Sequence, residues 1–254
     1  MRTRASSIVG ARANLGLIVP TTNTVNEAEW RRLLHGMDIS LHVTRMALHL
    51  DATSQAGRQA LEADIEQAVK QLAAARPDVI AYGCTAGSMV SPLDALTDVM
   101  QTHCGRPCVA TASALVYATR ALGLKRVVVA TPYHDALDRH EQRYLQSHGI
   151  VVASIRGLGF GAGGRHEFAR IASVTPDELT AHARGAWQPD ADGMLISCTD
   201  LATLEAVPRL EALFGKPVIS SNLATLWRSL QLAGIDQPVQ ACGSLLRRGA
   251  RAAS

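Results

Sequence analysis

"PDVIAYGCTAGS" (Pro77–Ser88) and "ADGMLISCTDLAT" (Ala191–Thr203) decide the fold. Each is a short apolar run that ends in a small, hydroxyl-rich turn, with Cys84 at the junction in the first and Cys198 in the second. A brief apolar run bounded by such a turn reads as a buried strand. The downstream segments are alike as well: "GRPCVATASALVYATRALGL" (Gly105–Leu124) after the first and "GKPVISSNLATLWRSLQLAGI" (Gly215–Ile235) after the second. Upstream, "LGLIVPTTNT" (Leu15–Thr24) and "RVVVATPYHD" (Arg126–Asp135) each join a strand to a polar turn. The landmarks keep their order in both halves, so the chain is a weak internal repeat.

Strand-like runs recur at Leu15–Val19, Ile39–Thr44, Val79–Tyr82, Cys108–Ala110, Arg126–Ala130, Ile150–Ile155, Gly193–Ser197 and Pro217–Ser220. Helical patterns separate most of them: Asn26–Leu34, Gly57–Ala75, Ala112–Leu122, Asp135–Ser147, Pro176–Trp187 and Leu223–Ala233. Alternation of this kind predicts an α/β fold with parallel sheets covered on both faces. The repeat predicts two similar Rossmann-like (flavodoxin-like) lobes related by a pseudo-twofold. Residues 13–120 form the first, completed by 222–254, and residues 121–221 form the second. Ligands of such sheets gather beyond the carboxyl ends of the strands. Both cysteines sit there, and the pseudo-twofold turns them toward one interlobe cleft.

Composition narrows the functional classes. The chain has 254 residues, 47% hydrophobic and 19% charged, with a formal net charge of +3. That is an ordinary globular balance. The arginines concentrate in the terminal stretches "MRTRASSIVGARA" and "LLRRGARAAS" rather than along an aromatic-lined groove, which argues against nucleic acid as a partner. No apolar stretch approaches the roughly 18 residues of a membrane span, and no secretory signal is evident. Five cysteines without framework spacing fit a reducing, cytoplasmic setting in which thiols stay free.

A free cysteine is usually core filler. Two in matching positions, each followed by a threonine (Thr85, Thr199) and a turn whose N–H groups favour an anion, point instead to nucleophilic chemistry. Asn23 and Tyr133 occupy corresponding turns of the two halves. Asn23 doubles as a turn former, whereas the Tyr133 hydroxyl suits donation to a carboxylate. Cys104 and Cys108, beside His103, lack the second pair that a zinc site needs, so packing is their expected role and no metal is expected. "GLGFGAGGRHEF" holds Gly159, Gly161 and Gly164 in a G-x-G-x-x-G spacing. It comes late in the chain, without the acidic residue of a dinucleotide site. It reads as a mobile glycine-rich loop over a substrate, with Arg165 and His166 available to an anion.

Taken in order, "GLIVPTTNT" with Asn23, "YGCTAGS" with Cys84, "VVVATPY" with Tyr133, "GMLISCTDLATL" with Cys198 and "GKPVISSNLATLW" resemble the aspartate/glutamate racemase superfamily. Within it they resemble the maleate cis-trans isomerases and arylmalonate decarboxylases, over nearly the whole chain. The resemblance implies two α/β lobes around one site that works without metal or organic cofactor. Maleate isomerases carry two catalytic cysteines and an asparagine in the first strand turn, matched here by Cys84, Cys198 and Asn23. The decarboxylases have glycine in place of the first thiol.

The resemblance thus implies a cis–trans isomerase of maleate or a related small dicarboxylate. Cys84 and Cys198 would be catalytic, and Asn23, Thr85, Tyr133 and Thr199 would bind substrate. One departure stands out: "GFGAGGRHE" does not supply the asparagine that isomerases use there to hold a carboxylate. An arylmalonate-type decarboxylase using Cys198 alone, a two-cysteine amino- or hydroxy-acid racemase and a non-enzymatic dicarboxylate-binding protein are the alternatives. A homo-oligomer is expected, with a small dicarboxylate as the molecular partner.

Overall fold

A computed structural model describes residues 9–49, 51, 54–90, 92–239 and 242–249. Among the described residues eight strands form two four-stranded sheets. The first contains β1 (Ala13–Pro20), β2 (Ile39–Met46), β3 (Val79–Tyr82) and β4 (Cys108–Ala110) in the order β2-β1-β3-β4. The second contains β5 (Arg126–Tyr133), β6 (Val151–Phe160), β7 (Gly193–Ile196) and β8 (Val218–Ser220) in the order β6-β5-β7-β8. Every pairing is parallel, and the two orders are the same when counted from the first strand of each half. The two α/β lobes expected from the repeat are present.

The helices are α1 (Asn26–Leu34), α2 (Gln55–Ala73), α3 (Thr85–Ser88), α4 (Ala95–Cys104), α5 (Thr111–Ala121), α6 (Asp135–Ser147), α7 (Pro176–Ala186), α8 (Ala206–Phe214), α9 (Ser221–Leu232) and α10 (Gly243–Arg247). A 3-10 helix spans Arg165–Ser173. Central strands covered on both faces must be apolar throughout. Accordingly Leu15, Leu17, Ile18 and Val19 of β1 and Val127, Val128 and Val129 of β5 are fully buried.

The lobes meet along α5 and α9. Both helices are buried nearly all round, α5 through Thr111–Val116, Ala118 and Thr119 and α9 through Ser221–Trp227, Ser229 and Leu230. Their small and hydroxylated residues allow close approach, and Thr225 Oγ1 donates to Thr111 Oγ1 across the contact at 3.0 Å. Helix α9 packs against β3 and β4 of the first sheet and β8 of the second, and α10 packs against α8, α9 and β8. The indole of Trp30 on α1, fully buried, donates to the Asn222 carbonyl at 3.1 Å.

Register places the chemistry. Tyr82 ends β3 level with Ile18 of β1 and Ala110 of β4, and Ile196 ends β7 level with Ala130 of β5 and Ser220 of β8. Cys84 and Cys198 each lie two residues past that shared level. The "GLGF" stretch, expected as loop, continues β6 to Phe160, which pairs with Tyr133. Only Gly161–Gly164 form the turn, and the 3-10 helix comes next.

Candidate active site

Asn23, Cys84, Thr85, Tyr133, Cys198 and Thr199 line one small cavity between the strand ends of the two lobes. All six are buried. Pro20, Thr22, Ala86 and Asp200 complete the wall, and Leu48, Phe168 and Ile171 cap it. The space left is about 30 Å³, room for a body the size of one water.

Cys84 caps α3: its Sγ accepts from the Gly87 amide at 3.4 Å. Gly87 is required here by contact, since a Cβ would come within 2.5 Å of the Tyr82 hydroxyl and 3.2 Å of the Cys84 sulfur. Tyr82 itself is fully buried. Among the described residues its hydroxyl has no nitrogen or oxygen partner, and it faces the Cys84 thiol. Nothing in the strand pattern distinguished this tyrosine from core; the presence of a hydroxyl in an otherwise apolar run was the available signal.

Cys198 is held differently. Its φ is 96°, a region that non-glycine residues seldom adopt and that costs on the order of 1–3 kcal/mol. The Asp200 amide donates to its Sγ at 3.4 Å, its own amide donates to Ser221 Oγ at 3.2 Å, and the Tyr133 hydroxyl faces its sulfur. A glycine relieves left-handed strain that alanine cannot. Cys198→Gly is therefore expected to be more stable than Cys198→Ala by about 1 kcal/mol, read from urea midpoints at equal slope. The ordinary order, alanine above glycine, would show that the position is unstrained.

The neighbouring hydroxyls bind the lobes to one another. Thr85 Oγ1 lies 2.8 Å from Ser221 Oγ, and Thr199 Oγ1 donates to the Gly83 carbonyl at 2.9 Å. Asn23 Nδ2 donates to Thr199 Oγ1 at 3.0 Å, while its Oδ1 takes the amides of Val25 and Asn26 at the start of α1. Asn23 is thus a helix-start former and a cavity residue at once.

Burial sets the protonation. It pushes both thiols above the usual thiol range, and the Asp200 carboxylate adds to the rise at each. The donors expected to favour thiolate are present, on Gly87 and Asp200, but desolvation outweighs them. Burial also raises the Tyr133 phenol, which keeps its proton to donate. Asp200 was not foreseen from sequence; burial pushes it up to about 6 despite donation from the Thr24 and Val25 amides. Behind Cys198, Ser197 Oγ donates to Glu141, whose carboxyl burial pushes up to about 8. A neutral Glu141 keeps one more negative charge away from an anion in the cavity.

The glycine-rich segment does cover the site, though by a 3-10 helix: Phe168 and Ile171, three residues apart, fall on one face of it and meet the cavity. Arg165 lies on the surface with Nη2 donating to the Leu48 carbonyl at 2.7 Å, and His166 is exposed away from the cavity. Cys104 and Cys108 are remote, their sulfurs 3.6 Å apart beside β4.

The chain is similar to known proteins over most of its length. The family model for arylmalonate decarboxylase matches residues 15–246. Maleate isomerase of Nocardia farcinica is 30% identical over 246 residues, covering 92% of this chain and 95% of that protein. Arylmalonate decarboxylase of Bordetella bronchiseptica is 38% identical over 140 residues, 55% of this chain and 57% of that one. Among solved structures, a cysteine-to-serine variant of the Nocardia farcinica maleate cis-trans isomerase, with a covalently bound succinylcysteine intermediate, superposes with a TM-score of 0.83. It is 28% identical and covers 92% of this chain and 98% of its own.

Proposed function

Because this chain belongs to the arylmalonate decarboxylase family, we propose that it is a cofactor-independent cis–trans isomerase of maleate or a related small dicarboxylate. The observation that carries the reading is the pair of thiols, one from each lobe, lining a single cavity with Asn23 and Tyr133. A decarboxylase needs one thiol there.

Turning maleate into fumarate requires that the π bond be interrupted. In the reactive form Cys84 is a thiolate and Cys198 a thiol. The Cys84 sulfur adds to one alkene carbon, and the π electrons move toward the other carbon and its carboxylate. Cys198 gives its proton to that second carbon, leaving a succinyl thioether on Cys84 and a thiolate at Cys198. The central bond is now single and turns. Cys198 takes the proton back, the double bond re-forms, and the C–S bond breaks to release fumarate and restore the Cys84 thiolate.

Charge that builds on the carboxylate needs donors already aimed at it. Tyr133 offers its hydroxyl and Asn23 its remaining amide hydrogen. Because the Thr85 and Thr199 side chains are engaged between the lobes, these two residues serve the substrate through their backbone N–H groups. Neutral Glu141 and the caps Leu48, Phe168 and Ile171 exclude competing charge and water. The same reading carries a reducing, cytoplasmic setting, which suits the free thiols. It also carries assembly as a homo-oligomer, for which exposed Leu213 and Leu232 offer apolar surface.

The burial of the thiols implies a pH dependence. Both are raised, so the thiolate fraction is small at neutral pH and grows as pH rises. The expected kcat/KM climbs by up to about tenfold per unit above about pH 6 and flattens toward pH 8, where Glu141 ionises. Asp200→Asn removes the carboxylate that raises both sulfurs and is expected to move that limb toward lower pH. A flat or falling wild-type profile would contradict the assignment.

Proton NMR with a dicarboxylate panel in deuterated buffer tests the function. Conversion of maleate to fumarate supports it. The Bordetella bronchiseptica likeness favours a second reading, an arylmalonate-type decarboxylase. Loss of carbon dioxide from a disubstituted malonate, without action on maleate, would replace the isomerase by it; α-deuteration of an amino or hydroxy acid would indicate a racemase.

A further inference from the structure

A second hollow, of about 390 Å³, lies against the outer side of the cavity wall formed by Ala86 and Phe168. Its other walls carry four basic side chains: His134, His140, Arg143 and Arg165. No carboxylate lines it. Of the acids nearest in the chain, Asp138 accepts from Thr131 Oγ1 and lies within electrostatic reach of His134, Glu167 accepts from the amides of Gly161 at the rim and of Gly163, and Asp135 is exposed at the start of α6, so the net positive charge of the hollow comes from Arg143 and Arg165. Neither Arg143 nor Arg165 takes part in an ion pair among the described residues. His140 Nε2 lies 3.3 Å from the Met89 carbonyl.

The catalytic cavity, at about 30 Å³, is too small for a four-carbon diacid, so a wall must shift to admit one. Phe168 is a wall of both spaces. Its ring lies against Gly161, where φ is 97° and a Cβ would come within 2.7 Å of that ring and 2.8 Å of His134. Arg165 spans the same boundary, because the Leu48 carbonyl it holds belongs to a cap of the catalytic cavity. We infer that this hollow is a cationic antechamber that binds the dicarboxylate dianion before it passes Phe168 to the cysteines. The dianion's identity as substrate rests on the function proposed above; the antechamber itself rests on the shared wall and on the guanidinium groups of Arg143 and Arg165, which form no ion pair among the described residues. Fixed positive charge in a partly enclosed space concentrates an anion and speeds its capture, an effect that salt weakens.

Arg143 gives the cleaner test, since Arg165 also holds Leu48. Kinetics with maleate and calorimetric titration with succinate, which has no double bond to react, are measured at low and high sodium chloride. Arg143→Gln is expected to lower kcat/KM about tenfold at low salt, leave kcat within about twofold, and flatten the salt dependence seen in wild type. Arg143→Lys should restore both. Arg143→Gln should weaken succinate binding in parallel, with an unchanged unfolding midpoint. Wild-type kcat/KM and salt slope in Arg143→Gln would overturn the antechamber, as would a fall in kcat alone. If wild type turns over no dicarboxylate, the proposed function fails, and the succinate titration alone decides the antechamber: weaker binding in Arg143→Gln upholds it, and unchanged or absent binding removes it.

Discussion

Cys84→Ser and Cys198→Ser are each expected to lower maleate isomerisation by at least about a thousand-fold, toward the uncatalysed rate. A serine hydroxyl is nearly isosteric with the thiol, so the cavity and its hydrogen bonds to the Gly87 and Asp200 amides remain. What is lost is a polarisable, ionisable nucleophile on one side and a matched proton donor on the other. The two variants differ in what they leave behind. Without Cys84 no adduct forms. Without Cys198 addition can still occur, but the proton on the second carbon is no longer removed efficiently. Steady-state fumarate formation from maleate, measured beside carbon dioxide release from a disubstituted malonate, separates this from a decarboxylase, whose malonate turnover tolerates Cys84→Ser because only the second thiol is used. Wild-type turnover in either variant would remove that residue from the mechanism.

The second large effect concerns the joint between the lobes. Glu29 on α1 is buried, and its carboxylate receives the amide of Thr203, the amide of Leu204 at 3.0 Å, the Thr203 hydroxyl and Asn222 Nδ2 at 2.7 Å. One side chain from the first lobe therefore holds the turn beyond Cys198 and the first residues of α9. Burial raises its pKa against the opposing pull of these donors. Removing the acceptor leaves the Thr203 amide and Asn222 Nδ2 without it in a buried setting and frees the part-buried Leu204 amide, while the Thr203 hydroxyl keeps Ser220 Oγ at 2.9 Å. Glu29→Ala is expected to cost about 3–5 kcal/mol, measured as a lower urea midpoint. It should also slow turnover in the folded protein, because the Cys198 turn loses its anchor. A loss below about 1 kcal/mol would show that water or neighbouring groups replace the carboxylate readily.

Much of this arrangement was legible in the residues. Val79–Tyr82 and Cys108–Ala110 were read to the residue because a strand buried on both faces has no polar break until its turn begins. The same property placed Cys84 and Cys198 at strand ends, and the repeat then brought them together. Helices α4 and α8 left weaker traces. The first is rich in Asp, Thr and His and buries only Leu96, Thr97 and Met100; the second carries Pro208 in its first turn, where proline costs little but interrupts a helical pattern. The strand end and 3-10 helix around Gly161 were hidden by glycines that resemble a loop when read locally. Asp200 and Tyr82 were missed for another reason. Their importance lies in facing sulfur atoms, a relation of space rather than of spacing. Net burial, too, is a property of the packed lobes, so the upward shift of both thiols against the pull of the turn amides could not be weighed from the turn alone.

The proposed division of roles is that one sulfur forms a bond to substrate carbon while the other moves a proton. It is tested most directly by peptide mass mapping of the Cys198→Ser protein after acid quench with maleate. A succinyl group on Cys84 is the expected result, absent from Cys104, Cys108 and Cys242 under the same exposure and absent when Cys84 is also replaced. Maleate turned over to fumarate by wild type, with the variant carrying no adduct on Cys84 at any quench time, would contradict covalent addition at that thiol.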